Sequence, residues 1–121
     1  NLTFKNHFVQ PLPIYRTKQD KFVENKENHK VSWPNFEIEI LEKREEFSFC
    51  KVIHTNQMLW IKNEFIYLKN KHFYCLDDYI DHFITVHENE DVKVIGLYGK
   101  FAYIIKNKEI GWIESGYLEK I

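Results

Sequence analysis

The last third of the chain repeats its middle, and this repeat limits the possible folds more than any other feature. Residues 59–66 read LWIKNEFI, and residues 111–118, 52 positions further on, read GWIESGYL. Upstream of them, IEIL at 38–41 is matched by VKVI at 92–95 with an offset of 54, so the hairpins between the matched segments differ by two residues. A repeat of roughly 50 residues indicates small supersecondary units in tandem. The sequence therefore predicts two small domains and disfavours a single large active-site cleft.

Composition and patterning favour an all-β chain. Of the 121 residues, 17% are aromatic, which suits small cores because each buried ring removes on the order of 150–250 Å² from water. Each repeat contains three short stretches with strand patterns, either alternating apolar and polar residues or a short apolar run, and polar turns at 54–57 and 106–109 join the last two stretches of each. Residues 76–84 also carry apolar residues at helical spacing, so a short helix is the alternative to an irregular loop there.

Charge and cysteine content narrow the class of protein. The net charge of −1 disfavours a general nucleic-acid binder, and no stretch is long and apolar enough to span a bilayer. The chain starts with Asn1 instead of Met, which leads us to expect a removed leader or other upstream segment. Cys50 and Cys75 fall in different repeats; a disulfide would join the repeats, but two buried free thiols are favoured.

The motif Gly-Trp-Ile-x-x-x-Tyr-Leu at 111–118, preceded by a strand, a long loop and short strands with tight turns, resembles the bacterial Src homology 3 domain family. The second repeat carries the resemblance over residues 74–121. The first carries it over 12–68, where Leu59 and Glu64 stand in place of glycines. The resemblance implies an all-β fold of two small tandem Src homology 3-like five-stranded barrels packed together. We expect a short N-terminal arm at 1–11, one unit at 12–70 and another at 71–121.

The resemblance also implies a function. Such domains are generally non-catalytic, and we expect a tandem binding module for cell-wall peptidoglycan or peptide ligands in the periplasm or outside a bacterium. Recognition of proline-rich peptides is not carried over, because Glu114 stands where the groove would need a proline and Phe101 where it would need a tryptophan.

The residues themselves give little sign of catalysis or metal binding. The chain has four glycines and no Gly-x-Ser-x-Gly turn or phosphate-binding loop, so we predict no enzyme activity and no cofactor. Asp77, Asp78, Asp81 and His82, with His87 beyond, lack the spacing of known ligand sets. A solvated acidic loop is the favoured interpretation.

The same region suggests an alternative function. Residues 72–92 hold six acidic residues and no Lys or Arg, which favours attraction of a basic partner. The protein would then be a standalone inhibitor or immunity protein that binds a toxin or hydrolase. The predicted ligand- or partner-binding residues are Tyr74, Tyr79, Tyr98, Tyr117, Asp77, Asp78, Asp81 and Trp33.

Each of these predictions competes with a simpler one. The carboxylates could merely keep a small domain soluble, and the tyrosines could complete its core. Trp60 and Trp112 are predicted to fill the two cores, because small cores need large side chains. Trp33 stands beside Pro34 in a polar segment, where a core residue is less expected, so it is the interface candidate of the three.

Overall fold

The computed structural model describes residues 11–24 and 29–121. In this part of the chain there are twelve short strands: β1 (Ile14–Thr17), β2 (His29–Val31), β3 (Phe36–Glu42), β4 (Phe47–Val52), β5 (Met58–Lys62), β6 (Ile66–Lys69), β7 (His72–Cys75), β8 (Tyr79–Asp81), β9 (Asp91–Tyr98), β10 (Phe101–Lys106), β11 (Glu109–Glu114) and β12 (Leu118–Lys120). Two single-turn 3-10 helices, Asn63–Phe65 and Ser115–Tyr117, precede β6 and β12.

The all-β prediction is confirmed. Residues 76–84, for which a helix was the alternative, contain strand β8 and otherwise irregular chain. The arm expected at 1–11 lies outside the described residues except for Pro11. Among the described elements, none is a helix with the length and apolar character needed to cross a membrane.

Asparagine-lysine pairs make two of the hairpins with two-residue turns. Asn70 and Lys71 connect β6 to β7, and Asn107 and Lys108 connect β10 to β11. All four residues have positive φ, between 49° and 70°. A type I′ turn, which is common in two-residue hairpins, requires this conformation at both of its central residues. Asparagine tolerates this left-handed region better than most residues, which explains why both turns begin with it.

The first compact unit, unit 1, comprises His29–Asp81. Its five-stranded sheet has the antiparallel order β5-β4-β3-β7-β6, and β2 pairs with β8 in a separate two-stranded sheet. The side chains that alternate inward from these strands are fully buried, and they include Cys50 and Cys75, both free thiols. Both cysteines face the same core because β4 and β7 are the two neighbours of β3.

The second compact unit, unit 2, comprises the described residues up to 24 together with His82–Ile121. Its antiparallel sheet has the order β11-β10-β9-β1-β12. Thr17, fully buried at the end of β1, exchanges backbone hydrogen bonds with Glu90 and Asn89. The core under the sheet consists of Ile84, Val86, Val92, Val94, Ala102, Ile104, Ile113 and Leu118, with Tyr15 and Tyr117 packed against it.

The sheets and the sequence repeats have different boundaries. Strand β1 belongs to the first repeat but pairs with β9 and β12 of the second. Conversely, β7 follows the expected boundary at residue 70 but pairs with β3 and β6. Each repeat thus contributes its first strand to the sheet formed by the other repeat.

Neither five-stranded sheet is a closed barrel in the part of the chain described. The outermost strands are β5 and β6 in unit 1 and β11 and β12 in unit 2, and in neither unit are these two strands paired with each other. Chain segments lie beside two of these edges instead. In unit 2, Trp112 donates its backbone N–H to the His82 carbonyl at 2.8 Å and accepts from Ile84 at 3.0 Å, which satisfies part of the β11 edge.

Candidate functional site

The structure divides the predicted binding residues between the two units. Tyr98 and Tyr117 lie in unit 2, and the other six lie in unit 1: Trp33, Tyr74, Asp77, Asp78, Tyr79 and Asp81. They therefore do not form the single acidic and aromatic site expected in the second repeat. Each unit has to be considered by itself.

Tyr79 and Asp81 cap the open edge of strand β5. The Tyr79 hydroxyl accepts the backbone N–H of Lys62 at 2.9 Å, and an Asp81 carboxylate oxygen accepts that of Trp60 at 2.7 Å. Tyr79 is 1% exposed and packs against Phe65 with the ring centroids 5.4 Å apart. Since unpaired edge donors are costly when buried, both side chains stabilise the fold. The burial of Tyr79 leaves it no surface for a ligand, which corrects the expectation for this residue.

The acidic run does not form one patch. Asp78 is 4% exposed, and its Oδ1 has no hydrogen-bond partner in the described structure. Burial raises the pKa of this carboxyl, and the charge of half-buried Asp77 raises it further. In unit 2, Glu90 lies 3.1 Å from the Lys106 ammonium, and Asp91 lies 3.2 Å from the Arg16 guanidinium. Most of these carboxylates therefore have local structural roles.

Three of the four remaining aromatic candidates, Tyr98, Tyr117 and Trp33, keep part of their surface exposed. Tyr98 is half-buried, and its ring contacts Trp112 edge to face with the centroids 5.8 Å apart. Tyr117 is also half-buried, and the Lys21 ammonium lies 5.1 Å from its ring centroid. Trp33 is 40% exposed and makes edge contacts with Phe36 and His54, at centroid distances of 6.2 and 6.3 Å. Trp33 as an interface residue stays a prediction.

Trp60 and Trp112 were both predicted to fill a core, and the prediction is correct for Trp112 only. Trp112 is fully buried and stacks on Tyr103, with the centroids 4.4 Å apart. Trp60 is only half-buried. It lies at the surface of unit 1 between Phe49, at 5.0 Å, and the guanidinium of Arg44, at 5.2 Å.

Tyr74 takes part in a pocket at the β6–β7 hairpin of unit 1. Its ring stacks on Tyr67, the residue directly opposite on β6, with the centroids 5.5 Å apart and the planes at 23°. Asn35, Lys69 and Asn70 complete the lining of a depression of about 460 Å³. Its position follows from the hairpin, because the two-residue turn places the tyrosines on the same face of adjacent strands.

The pocket also holds polar groups beside the stacked rings. The Tyr67 hydroxyl donates to the Asn35 side-chain oxygen at 2.9 Å, and the Asn35 side chain also carries an amide nitrogen that can donate. Lys69, a residue with an ammonium group, belongs to the same lining. Flat aromatic faces with a few directed donors are typical of sites for sugars and peptides that carry oxygen acceptors and carboxylates.

Sequence analysis missed most of this pocket. Only Tyr74 was predicted, whereas Tyr67, Asn35 and Lys69 were not. Residues 69–72 were interpreted as the join between the two repeats, although Lys-Asn-Lys at 69–71 is identical to Lys-Asn-Lys at 106–108, which was correctly predicted as a hairpin turn. That identity was the signal that could have located the hairpin, and with it the tyrosine pair.

The described residues offer little support for metal binding or for a reactive cysteine. No group of three or more His, Cys, Asp or Glu side chains there has an arrangement that could hold a metal ion. Burial raises the pKa of the Cys50 thiol to about 12 and that of Cys75 further still, so neither presents a reactive thiolate near neutral pH.

Comparison of the chain with protein-family models, curated proteins and solved structures gave no significant match.

Proposed function

We propose that this protein is a non-catalytic binding protein of two Src homology 3-like units that attaches to bacterial cell-wall peptidoglycan outside the cytoplasm. The tyrosine pocket of unit 1, formed by Tyr67, Tyr74, Asn35 and Lys69, is the proposed ligand site. The proposal combines the family resemblance of the sequence with a pocket that Tyr74, a predicted binding residue, lines.

The strand order supports the Src homology 3-like assignment. In unit 2, β9, β10 and β11 are followed by a 3-10 turn and β12, with β1 between β9 and β12. In unit 1, β3, β4 and β5 are followed by a 3-10 turn and β6, with β7 in the place of β1. The two 3-10 turns begin at Asn63 and Ser115, 52 positions apart, the offset of the sequence repeat.

The observation that carries the function is the stacked tyrosine pair with two donors beside it. A saccharide ring packs its C–H face on an aromatic ring, while its hydroxyl and acetamido oxygens accept hydrogen bonds. The Asn35 amide and the Lys69 ammonium are placed to donate to such oxygens, and an ammonium also suits the carboxylate of a stem peptide.

The alternative function receives less support. An inhibitor or immunity protein was expected to bind its basic partner through residues 72–92. Those acidic residues fall into two units, and Asp78, Asp81, Glu90 and Asp91 are buried or have protein partners. Their distribution therefore favours the wall-binding proposal.

Co-sedimentation with purified peptidoglycan tests the proposal. We expect the wild-type protein to pellet with the wall at moderate salt, and Tyr74→Ala to bind about ten-fold more weakly, because one aromatic contact contributes on the order of 1 kcal/mol. Phe22→Ala, which removes an 82% exposed ring from unit 2, is the matched control and should bind like wild type.

The unfolding free energy of Tyr74→Ala should stay within about 1 kcal/mol of wild type, so that lost binding is not lost folding. Wild-type protein that stays in the supernatant would refute the proposed ligand. Wall binding that is equally strong in Tyr74→Ala would refute the proposed site.

A further inference from the structure

Equivalent tryptophans have different surroundings in the two units. Trp112 on β11 lies opposite Tyr103 on β10, and Trp60 on β5 lies opposite Phe49 on β4. Trp112 is fully buried, whereas Trp60 is half-buried. The difference requires a cause, because the cross-strand partner is an aromatic ring in both cases.

The two units differ in the residue that covers the indole. Tyr103 pairs with Gly96 on β9, and Tyr98, two residues beyond Gly96, places its ring against Trp112 at 5.8 Å. Phe49 pairs with Glu42 on β3, and the residue two positions beyond Glu42 is Arg44. Unit 2 therefore covers its tryptophan with a tyrosine of its own, and unit 1 places an arginine at the same position.

Arg44 covers Trp60 less completely than Tyr98 covers Trp112. Its guanidinium lies 5.2 Å from the indole centroid, and its side chain is 62% exposed. It forms an ion pair with Glu42, whose side chain is 49% exposed. A solvent-exposed pair of this kind contributes little to stability, so an incoming carboxylate can replace Glu42 as the partner of Arg44.

Glu42 also prevents unit 1 from closing over Trp60 in the manner of unit 2. At Gly96, an added Cβ would lie 2.6 Å from the Tyr98 hydroxyl and 2.7 Å from its ring, so the tyrosine folds back over Trp112 only because residue 96 is glycine. Residue 42 has a side chain at the corresponding place. In unit 1, therefore, neither residue 42 nor residue 44 supplies a second aromatic ring to Trp60.

We propose that Trp60, Phe49 and Arg44 form a second binding site, for a polypeptide segment of a partner protein that presents an aromatic side chain next to a carboxylate. The ring packs its edge against the electron-rich face of the Trp60 indole, beside the exposed side chain of Arg44. The carboxylate pairs with the guanidinium of Arg44, whose planar group can hold two oxygens at once. The site is separate from the tyrosine pocket and does not depend on its function.

A nuclear magnetic resonance titration of the full chain tests this proposal. The chain has three tryptophans, so a nitrogen-15 spectrum resolves three indole N–H signals, which single Trp→Phe variants assign. The probe is the peptide Gly-Ser-Asp-Tyr-Asp-Ser-Gly. We expect the Trp60 signal to shift with peptide concentration while the signals of Trp33 and Trp112 stay in place.

Control peptides and variants make the test specific. Replacement of the peptide's tyrosine by alanine, or of its aspartates by lysines, should abolish the shift of Trp60. Arg44→Ala should weaken binding about ten-fold, the effect of losing one charge-assisted contact, while Tyr74→Ala should bind the probe like wild type. A Trp60 signal that does not move, or that moves equally with the alanine peptide, would overturn the proposal.

A double variant tests the structural reasoning directly. Glu42→Gly with Arg44→Tyr gives unit 1 the residues that cover the tryptophan in unit 2. We expect the Trp60 indole to become protected from fluorescence quenching by acrylamide and the variant to lose the probe-induced shift. A folded double variant that still binds the probe like wild type would contradict the proposal, and Arg44→Ala alone remains decisive if the double variant does not fold.

Discussion

At the scale of single residues, Gly111 shows why one repeat needs a glycine where the other repeat has a larger residue. A Cβ at Gly111 would lie 2.5 Å from the His82 carbonyl oxygen and 2.8 Å from a side-chain carbon of Ile84. The backbone of 82–84 approaches β11 this closely because it hydrogen-bonds to that edge. In unit 1 the edge of β5 is capped by side chains instead, and the equivalent position accommodates Leu59.

We predict that Gly111→Ala lowers the unfolding free energy by about 1–3 kcal/mol, the usual cost of forcing extra volume into a packed site. Gly116→Ala is the matched control, because nothing lies within 4 Å of a Cβ placed there. It should change stability by less than about 0.5 kcal/mol. Urea unfolding followed by tryptophan fluorescence measures both, and equal stability of the two variants would contradict the close approach of His82.

Asp78 supports a prediction about pH. Burial and the charge of Asp77 raise its pKa in the folded state, while Lys30 opposes this shift. The folded protein then binds this proton more tightly than the unfolded chain, so the contribution of Asp78 to stability falls as the pH rises through its folded-state pKa. We expect Asp78→Asn to be more stable than wild type near pH 7, with the advantage shrinking toward about pH 4 and below.

Urea midpoints at several pH values check this expectation. Glu119→Gln, which removes the charge of an exposed carboxyl of unit 2, is the control for the change in net charge. An Asp78→Asn protein that is less stable than wild type at neutral pH would mean that the carboxylate makes a favourable contact that asparagine cannot replace.

At the scale of strands and hairpins, local patterns were sufficient for much of the fold. The offsets of 54 and 52 in the sequence predicted that one hairpin is two residues longer than its equivalent. The ladders agree, since Lys51 pairs with Met58 while its counterpart Ile105 pairs with Ile110. Such features depend on neighbours along the chain and on alternation with period two, both of which are visible in one sequence.

Strand partners were not predictable in the same way. Strands β1 and β7 are examples, because nothing local in either segment states which sheet it joins. Pairing over long separations is decided by the completed core and by loop closure, to which short patterns contribute little. The expected boundary between residues 70 and 71 followed the repeat and therefore fell within the β6–β7 hairpin.

The same limit applies to the candidate sites. Tyr74 could be proposed as a contact residue from its type alone, but Tyr67 gained importance only when β6 and β7 were seen to pair. Trp60 and Trp112 carry the same sequence motif, but Arg44, which follows β3, lies over the first, and Tyr98, at the end of β9, lies over the second. A motif therefore indicated where a strand lies without indicating what covers it.

At the scale of the whole chain, the exchange of first strands makes unit 2 discontinuous. Among the described residues, unit 1 lies within one segment, His29–Asp81, whereas the sheet of unit 2 needs β1 from before that segment and β9–β12 from after it. Strand β1 pairs with β9 on one side and β12 on the other, and Tyr15 from β1 packs on the unit 2 core. Removal of β1 would unpair two strands and uncover part of that core.

We therefore predict different behaviour for fragments of the two units. A fragment of residues 29–81 contains every strand of its own sheets and should unfold cooperatively in urea. A fragment of residues 82–121 lacks β1 and should show no cooperative transition until a synthetic peptide of residues 11–24 is added, because the peptide restores both ladders and returns Tyr15 to the core. Circular dichroism and tryptophan fluorescence follow both transitions.

A peptide in which Thr17 is replaced by valine is the matched control for this complementation. The Thr17 hydroxyl accepts the backbone N–H of Glu90 at 2.8 Å, so the valine peptide leaves a buried donor unpaired and should complement the fragment more weakly. Cooperative unfolding of 82–121 without any peptide would contradict the exchanged arrangement, because the strand between β9 and β12 would then be dispensable. Complementation by a peptide of residues 70–76 as strong as by 11–24 would mean that β1 and β7 are interchangeable, and that pairing in the intact chain is selected by connectivity and not by the strands themselves.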